Sequence, residues 1–232
     1  MSVHKSSDAD PTGGEIKKTP ILFENNNEAV AVFPSAKAKA EDVVAALGLK
    51  PYKAVIMVLG GAAGIDEAVA QRLAQLFGRG VARAAADADA VIIDGGTQSG
   101  VMAMMGEGVA GRGYKSQLVG VAPAGIVTYP GGPASAGAQL EPNHSHFVLV
   151  EGDIWGSETS TMFNLGKALM GKVPGVAVLA GGGPVAKDEV LRAIRQELPL
   201  IVVDGSGGLA SDVARAWRHR ATLPDDPVMA EI

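Results

Sequence analysis

The chain has 232 residues, 47% hydrophobic and 19% charged, enough apolar material to bury the core of one α/β domain and too much for a disordered chain. It has no cysteine, which excludes disulfides, thiolate metal sites and cysteine nucleophiles and agrees with a reducing compartment. A net charge of -5 argues against a non-specific polyanion binder, and no leader or ~18-residue apolar span is visible. The expectation is a soluble cytoplasmic protein serving a small ligand, with no nucleic-acid or membrane partner.

In chain order, residues 1–18 are polar and read as a flexible tail. Residues 19–221 form the expected domain, and residues 222–232, with Pro224, Asp225, Asp226 and Pro227, read as a second tail. Helical spacing first shows in Ala36, Ala40, Val43, Val44 and Leu47, before the apolar run Ala54–Leu59. Helical spacing returns at Ile65, Val69, Leu73 and Leu76, and is followed by the run Ala90–Ile93 and a helix from Ser99 to Ala110. The runs Gln117–Val121 and Phe147–Val150 come next, then a helix from Ser157 to Met170. The run Gly175–Leu179, a helix from Asp188 to Glu197, the run Leu200–Val203 and a helix from Gly208 to Trp217 complete the pattern. Near-continuous Val, Ile and Leu marks strands buried on both faces. Their alternation with helices predicts a Rossmann-like, doubly wound parallel sheet in a single α/β domain, with about six or seven strands.

Five of these strands end in glycine-bearing loops: Leu59–Gly64, Asp94–Gly100, Glu151–Ser157, Leu179–Pro184 and Asp204–Gly208. In an open α/β sheet, such loops converge on one crevice at the carboxyl edge. Glycine admits positive φ and lets backbone N–H groups approach a phosphate, while the following helix N-terminus favours negative charge. Gly60, Gly61 and Gly64 lack the spacing of a Rossmann dinucleotide fingerprint, and no P-loop sequence is present.

The segments Asp94–Gly106, Glu141-Pro-Asn-His-Ser-His-Phe147, Leu179–Pro184 and Val203–Asp212 together resemble the SLOG (LSDAT) domain. That domain occurs in bacterial proteins and at the N-terminus of melastatin-type transient receptor potential channels. The resemblance implies a Rossmann-like domain that senses a nucleotide-derived, ADP-ribose-like ligand, with no cofactor, assembled as a homodimer or larger homo-oligomer. The ligand-binding residues expected from the loops and the resemblance are Gly60, Gly61, Gly95, Gly96, Thr97, Gln98, Ser99, Gly100, Asn143, His144, His146, Gly156, Ser157, Gly181, Gly182, Gly183, Gly205, Ser206 and Gly207. The phosphates would lie over Gly95–Gly100 and Gly181–Gly183.

The same superfamily contains the "lonely guy" phosphoribohydrolases, which cleave the N-glycosidic bond of nucleoside monophosphates. Gly95-Gly-Thr-Gln-Ser-Gly-Val-Met102 is similar to their first motif, with Thr97 where they have a glycine. Their second motif fits loosely: Val185 and Ala186 replace its Gly-Thr, Glu189 falls on its glutamate, and their Arg-Lys pair has no counterpart near Glu151–Thr159. Glu189 is therefore the catalytic candidate of this alternative, although the helix dipole already explains an acid in a first turn. An oligomeric scaffold with a vestigial site is a third reading.

His144 and His146 fall just before a strand, and a metal pair there would need carboxylates to complete its ligands, so no metal is expected. The favoured arrangement has one imidazole facing the crevice and the other satisfying a backbone group. Ser99 and Ser157 fit helix caps as well as ligand contacts. Asp94 and Asp204 suit Asx turns or ribose contacts. Trp155 suits stacking on a base or filling an interface.

Overall fold

The computed structural model describes residues 16–61, 65–133, 137–219 and 227–232. Its elements are β1 (Lys17–Leu22), β2 (Glu28–Phe33), α1 (Ala40–Leu47), β3 (Ala54–Gly60), α2 (Glu67–Gln75), a π-helical segment (Leu76–Val81), α3 (Ala82–Asp87) and β4 (Ala90–Asp94). They continue with α4 (Gly100–Ala110), β5 (Leu118–Pro123), β6 (Val127–Thr128), β7 (Ala138–Gln139), β8 (His146–Val150) and α5 (Thr159–Leu169). The chain then forms β9 (Gly175–Ala180), α6 (Pro184–Arg195), β10 (Leu200–Val202), α7 (Gly208–Arg218) and α8 (Pro227–Glu231).

The apolar runs form the centre of an eight-stranded sheet with the order β1-β2-β8-β5-β4-β3-β9-β10. All of β4 and β5 is buried, as strands covered on both faces require. Each pairing is parallel except β1 with β2 at one edge. One face, with Met57, Leu59, Ile93 and Val121, packs against α1, α5, α6 and α7. The other, with Ile56, Val58 and Ile92, packs against α2, α3 and α4. A third cluster, including Ile21, Phe23, Leu140 and Phe147, lies on the β1–β2 side. The domain is thus a single α/β unit of the expected doubly wound kind.

Described residues within both expected tails are structured. Lys17 and Lys18 belong to β1, paired with Phe33 and Val32, and Lys17 lies over the Phe33 ring at 5.3 Å. The alternation in β1 was too short to announce a strand, and Pro20 is tolerated because this is an edge. Within residues 222–232, α8 docks on the domain: Met229 and Ile232 pack against the main core, and Arg195 holds Glu231 through bonds of 2.7 and 2.9 Å. Residues 1–15 and 220–226 lie outside the described residues, as do Ala62–Gly64 of the first loop.

The π-helical segment also escaped the sequence reading. It brings Gly78 against α4, where a Cβ on Gly108 would lie 2.9 Å from the Gly78 Cα and 3.0 Å from the Ala82 Cβ. Arg112 donates to the Gly78 and Arg79 carbonyls at 3.2 and 3.3 Å, serving acceptors of the irregular helix. Gly108→Val is expected to overpack this crossing and destabilise the domain by about 1–3 kcal/mol. Thermal unfolding checks this; an unchanged Tm would show that the crossing relaxes freely.

Candidate functional site

The strand order reverses between β3 and β9, the position where an open α/β sheet leaves a crevice at its carboxyl edge. Gly60 sits there at φ 121, and a Cβ on it would lie 2.0 Å from the Ala180 carbonyl oxygen. Across from it, Gly181 and Gly182 turn at φ 60 and 97. The Gly181 N–H donates to Ser206 Oγ at 2.9 Å, and that hydroxyl donates to the Val203 carbonyl at 2.6 Å. The Leu209 and Ala210 N–H groups, in the first turn of α7, donate to the carbonyls of Gly182 and Gly181, each at 2.9 Å. Buried Ser206 and the start of α7 therefore hold the Gly181–Gly183 loop, while Gly205 is exposed and Gly207 donates to Ser211 Oγ.

The helices that start at this edge differ in how their first N–H groups are served. Asp66 caps α2, accepting the Val69 N–H at 2.8 Å. By contrast, α4 begins at Ser99 and α6 at Gly183 without a side-chain cap, and Pro184 follows as the first helical residue of α6. Ser99 is exposed with extended backbone at φ -148, and Gly100 turns at φ 51. Thr97 is buried and bridges Leu140, while Gln98 lines a separate 720 Å³ cavity with Tyr129 and Gln139. Beside Gly182 and Gly183, another 720 Å³ cavity opens between α6 and α7, lined by Lys187, Arg215 and Met229 among others.

Carboxylates occupy the other part of the edge. Glu189 is 8% exposed, and its Oε2 accepts the Gly60 N–H at 3.4 Å. Burial pushes its carboxyl up to about 8, with the Glu158, Asp188 and Asp94 charges adding to the rise. Glu158, also raised by burial, accepts the Gly156 N–H at 2.8 Å. It went unnoticed in the sequence because nothing in a glycine-bounded loop announces a buried acid. Ser157 donates to the Ile154 carbonyl at 2.8 Å, closing its own loop instead of capping α5.

The histidines depart from expectation. His144 is fully buried, with Nε2 2.8 Å from Asp94 Oδ1 and Nδ1 2.8 Å from Glu141 Oε2. Its ring stacks on Phe147 at 5.2 Å. Burial alone would lower the imidazole pKa, but the Asp94 and Glu141 carboxylates outweigh it and hold it up at about 9. Both ring nitrogens are thereby donors, and neither faces the crevice.

His146 starts β8, at the end opposite the Glu151–Ser157 loop, with Nδ1 2.9 Å from Ser145 Oγ. Burial and the Lys50 charge lower it to about 4. Asn143 is committed to Glu141 Oε1 at 2.7 Å, and its Oδ1 accepts from Asn25 and Tyr114 at 2.9 Å each. The Pro-Asn-His segment is thus a structural tie between β4, α4 and the β1–β2 turn, since its polar groups are spent within the protein.

Asp94 Oδ1 also accepts the Gly96 N–H at 2.7 Å, an Asx turn. Asp204 pairs with Arg218 at the surface. Among the described residues, no group of three His, Cys, Asp or Glu side chains is arranged to hold a metal, and no helix is long and apolar enough to cross a membrane.

Residues 53–230 match the family described as "SLOG in TRPM, prokaryote". The chain belongs to this SLOG family. It is 33% identical over 204 residues to "Transient receptor potential cation channel subfamily M member-like 2" of Nematostella vectensis, which covers 71% of this chain and 13% of that protein. It is 30% identical over 214 residues to the subfamily M member 2 channel of Mus musculus, covering 76% of this chain and 14% of the relative. The match to member 1 of the same organism is 28% over 194 residues, 69% of this chain and 12% of the relative. The chain therefore corresponds to a small part of these relatives.

His144, His146, Glu158 and Glu189 set a pH dependence of stability, and His146, lowered to about 4 from 6.5, opposes the others by adding stability as pH rises between those values. His144 binds its proton more tightly folded, at about 9, than at its ordinary 6.5. Its contribution is complete below 6.5 and is lost as pH rises through about 9. Glu189, neutral up to about 8 when folded against an ordinary 4.5, likewise loses stability as pH rises, over the window 4.5 to 8. Glu189→Gln is expected to remove the Glu189 loss between 4.5 and about 8, so that stability rises more steeply below 6.5 through His146 and still falls toward about 9 through His144. His144→Leu strands two buried carboxylates and costs roughly 3–5 kcal/mol. Urea unfolding from pH 5 to 9.5 checks both; a Glu189→Gln profile matching wild type would mean that Glu189 is ionised in the fold.

Proposed function

We propose that this SLOG domain is a binding module for a nucleotide-derived, ADP-ribose-like ligand, with the phosphates over Gly95–Gly100 and Gly181–Gly183. The observation that carries the reading is the difference among the helix starts at one sheet edge. Asp66 fills the anion seat of α2, and the first N–H groups of α7 are spent on Gly181 and Gly182. α4, α5 and α6 all start without a side-chain cap; α5 begins at the acid Glu158, whereas α4 and α6 follow the Gly95–Gly100 and Gly181–Gly183 loops and suit a phosphate on each. Lys187 and Arg215 line the cavity beside Gly182, Arg215 paired with Asp212 of the same lining at 3.2 Å, so that Lys187 is the principal positive group on that side. Assembly into a homodimer or larger homo-oligomer is part of this proposal; the exposed Ile201 on edge strand β10 supports it.

A second reading is favoured by Glu189 alone. A carboxyl held up at about 8 beside Gly60 is protonated at neutral pH and can donate to a departing base as water adds to the ribose carbon, which is N-glycosidic hydrolysis. Against it stands the absence of the hydrolases' Arg-Lys pair near Glu151–Thr159.

One pair of substitutions separates binding from mere stability. Ser99→Asp and Gly183→Asp each place a carboxylate where the proposed phosphate sits, and each adds a helix cap worth about 0.5–2 kcal/mol. Both are expected to raise the Tm of the free protein while weakening ADP-ribose at least about ten-fold by calorimetry, whereas Ser99→Asn caps without the charge and weakens it less. Unchanged affinity in both Asp variants would remove the phosphates from these helices. Chromatography for released base decides the second reading: release that disappears in Glu189→Gln would make this an enzyme.

A further inference from the structure

A pocket of about 280 Å³ lies away from the β3–β9 crevice, at the carboxyl ends of β2 and β8. Its floor is apolar, with Pro34, Val150 and Leu165, and its rim carries Ser35, Glu151, Ser160, Thr161 and Asn164. The side chains of these five rim residues have no hydrogen-bond partner among the described residues. Hydroxyl, amide and carboxylate groups grouped around an apolar base, with no Lys, Arg or His in the lining, suit a neutral ring that both donates and accepts. They do not suit a phosphate, which Glu151 would repel. The volume is just under the ~300–1,000 Å³ of pockets that take whole small molecules, so it fits one substituted ring.

The loop that begins at Glu151 on the rim of the pocket ends against α6: a Cβ on Gly156 would lie 3.8 Å from Val185 Cγ2. β8 is separated from β4 by β5 alone, two strand spacings or roughly 10 Å, a distance a pyrophosphate with an attached sugar can span. We propose that this pocket is a sugar subsite taking a neutral polyhydroxylated ring of furanose size. The placement of that ring as the second ribose of the ligand, the one beyond the pyrophosphate, rests on the nucleotide reading above.

The test uses D-ribose, ADP and ADP-ribose on the full chain. In amide-detected NMR, millimolar D-ribose is expected to shift Ser160, Thr161 and Asn164, and Ala36→Phe, which fills the pocket from an exposed loop position, abolishes those shifts. By calorimetry, ADP-ribose should bind about ten-fold more tightly than ADP, and Asn164→Ala should remove most of that advantage while leaving ADP unchanged. Ribose shifts in the pocket without any nucleotide binding would sustain the subsite and sink the nucleotide reading. No ribose shift together with equal affinities for ADP and ADP-ribose would overturn the subsite. Equal weakening of both nucleotides by Asn164→Ala would overturn its assignment to the second ribose.

Discussion

A proton buried between Asp94 and Glu141 holds the carboxyl edge in shape. Held up at about 9, His144 donates from both ring nitrogens, one to each carboxylate, whereas a neutral imidazole has one N–H and would turn a lone pair toward one of them. The Gly96 and Asn143 N–H groups share the burden, donating to Asp94 and Glu141 at 2.7 and 2.8 Å. Glycine makes room for the cluster. A Cβ on Gly106 of α4 would lie 2.1 Å from the Glu141 carboxyl, and one on Gly96 would lie 2.8 Å from the Gly120 Cα. A buried ion cluster of this kind is weak evidence for stability in itself. Its effect is positional, because it ties the turn after β4 to a segment some fifty residues later and fixes how α4 presents its N-terminus.

Charge is sorted along that edge. Lys187 and the Arg215–Asp212 pair lie on the α6–α7 side, and the buried acids Glu158 and Glu189 lie between Gly60 and the start of α5. An ionised Glu189 would oppose a phosphate at the neighbouring helix start. Held neutral by burial, with the surrounding carboxylates adding to the effect, it becomes a hydrogen-bond donor and the repulsion is removed. The acid that makes hydrolysis conceivable is therefore equally useful to a site that only binds.

The central strands were legible because continuous apolar runs allow few other fates, and β3, β4, β5, β8, β9 and β10 all fall on runs visible in the sequence. The glycine loops were legible too, since positive φ at Gly60, Gly96, Gly181 and Gly182 is what such loops demand. The role of His144 was not, because its partner Asp94 lies 50 residues away and no local pattern distinguishes a histidine facing a ligand from one locked between carboxylates. Nor was α8, whose five residues are too few to fold as an isolated helix and are held by Met229 packing and the Arg195 pair. The β2–β8 pocket has no sequence signature either, since Ser35 and Asn164 meet only when β2 and β8 pair.

The bare helix starts carry an energetic argument. Asp66 shows that this chain uses a side-chain cap at the same edge, and such a cap contributes about 0.5–2 kcal/mol. Omitting it at α4 and α6 leaves that stabilisation unclaimed at one helix on each face of the sheet, although at α4 Ser99 already has the extended backbone of a cap and an exposed hydroxyl that makes no such bond. Selection for stability alone would favour filling both seats. On the proposed reading a bound anion would offset the loss in the complex, and the fold would give up part of its free-state stability to bind one.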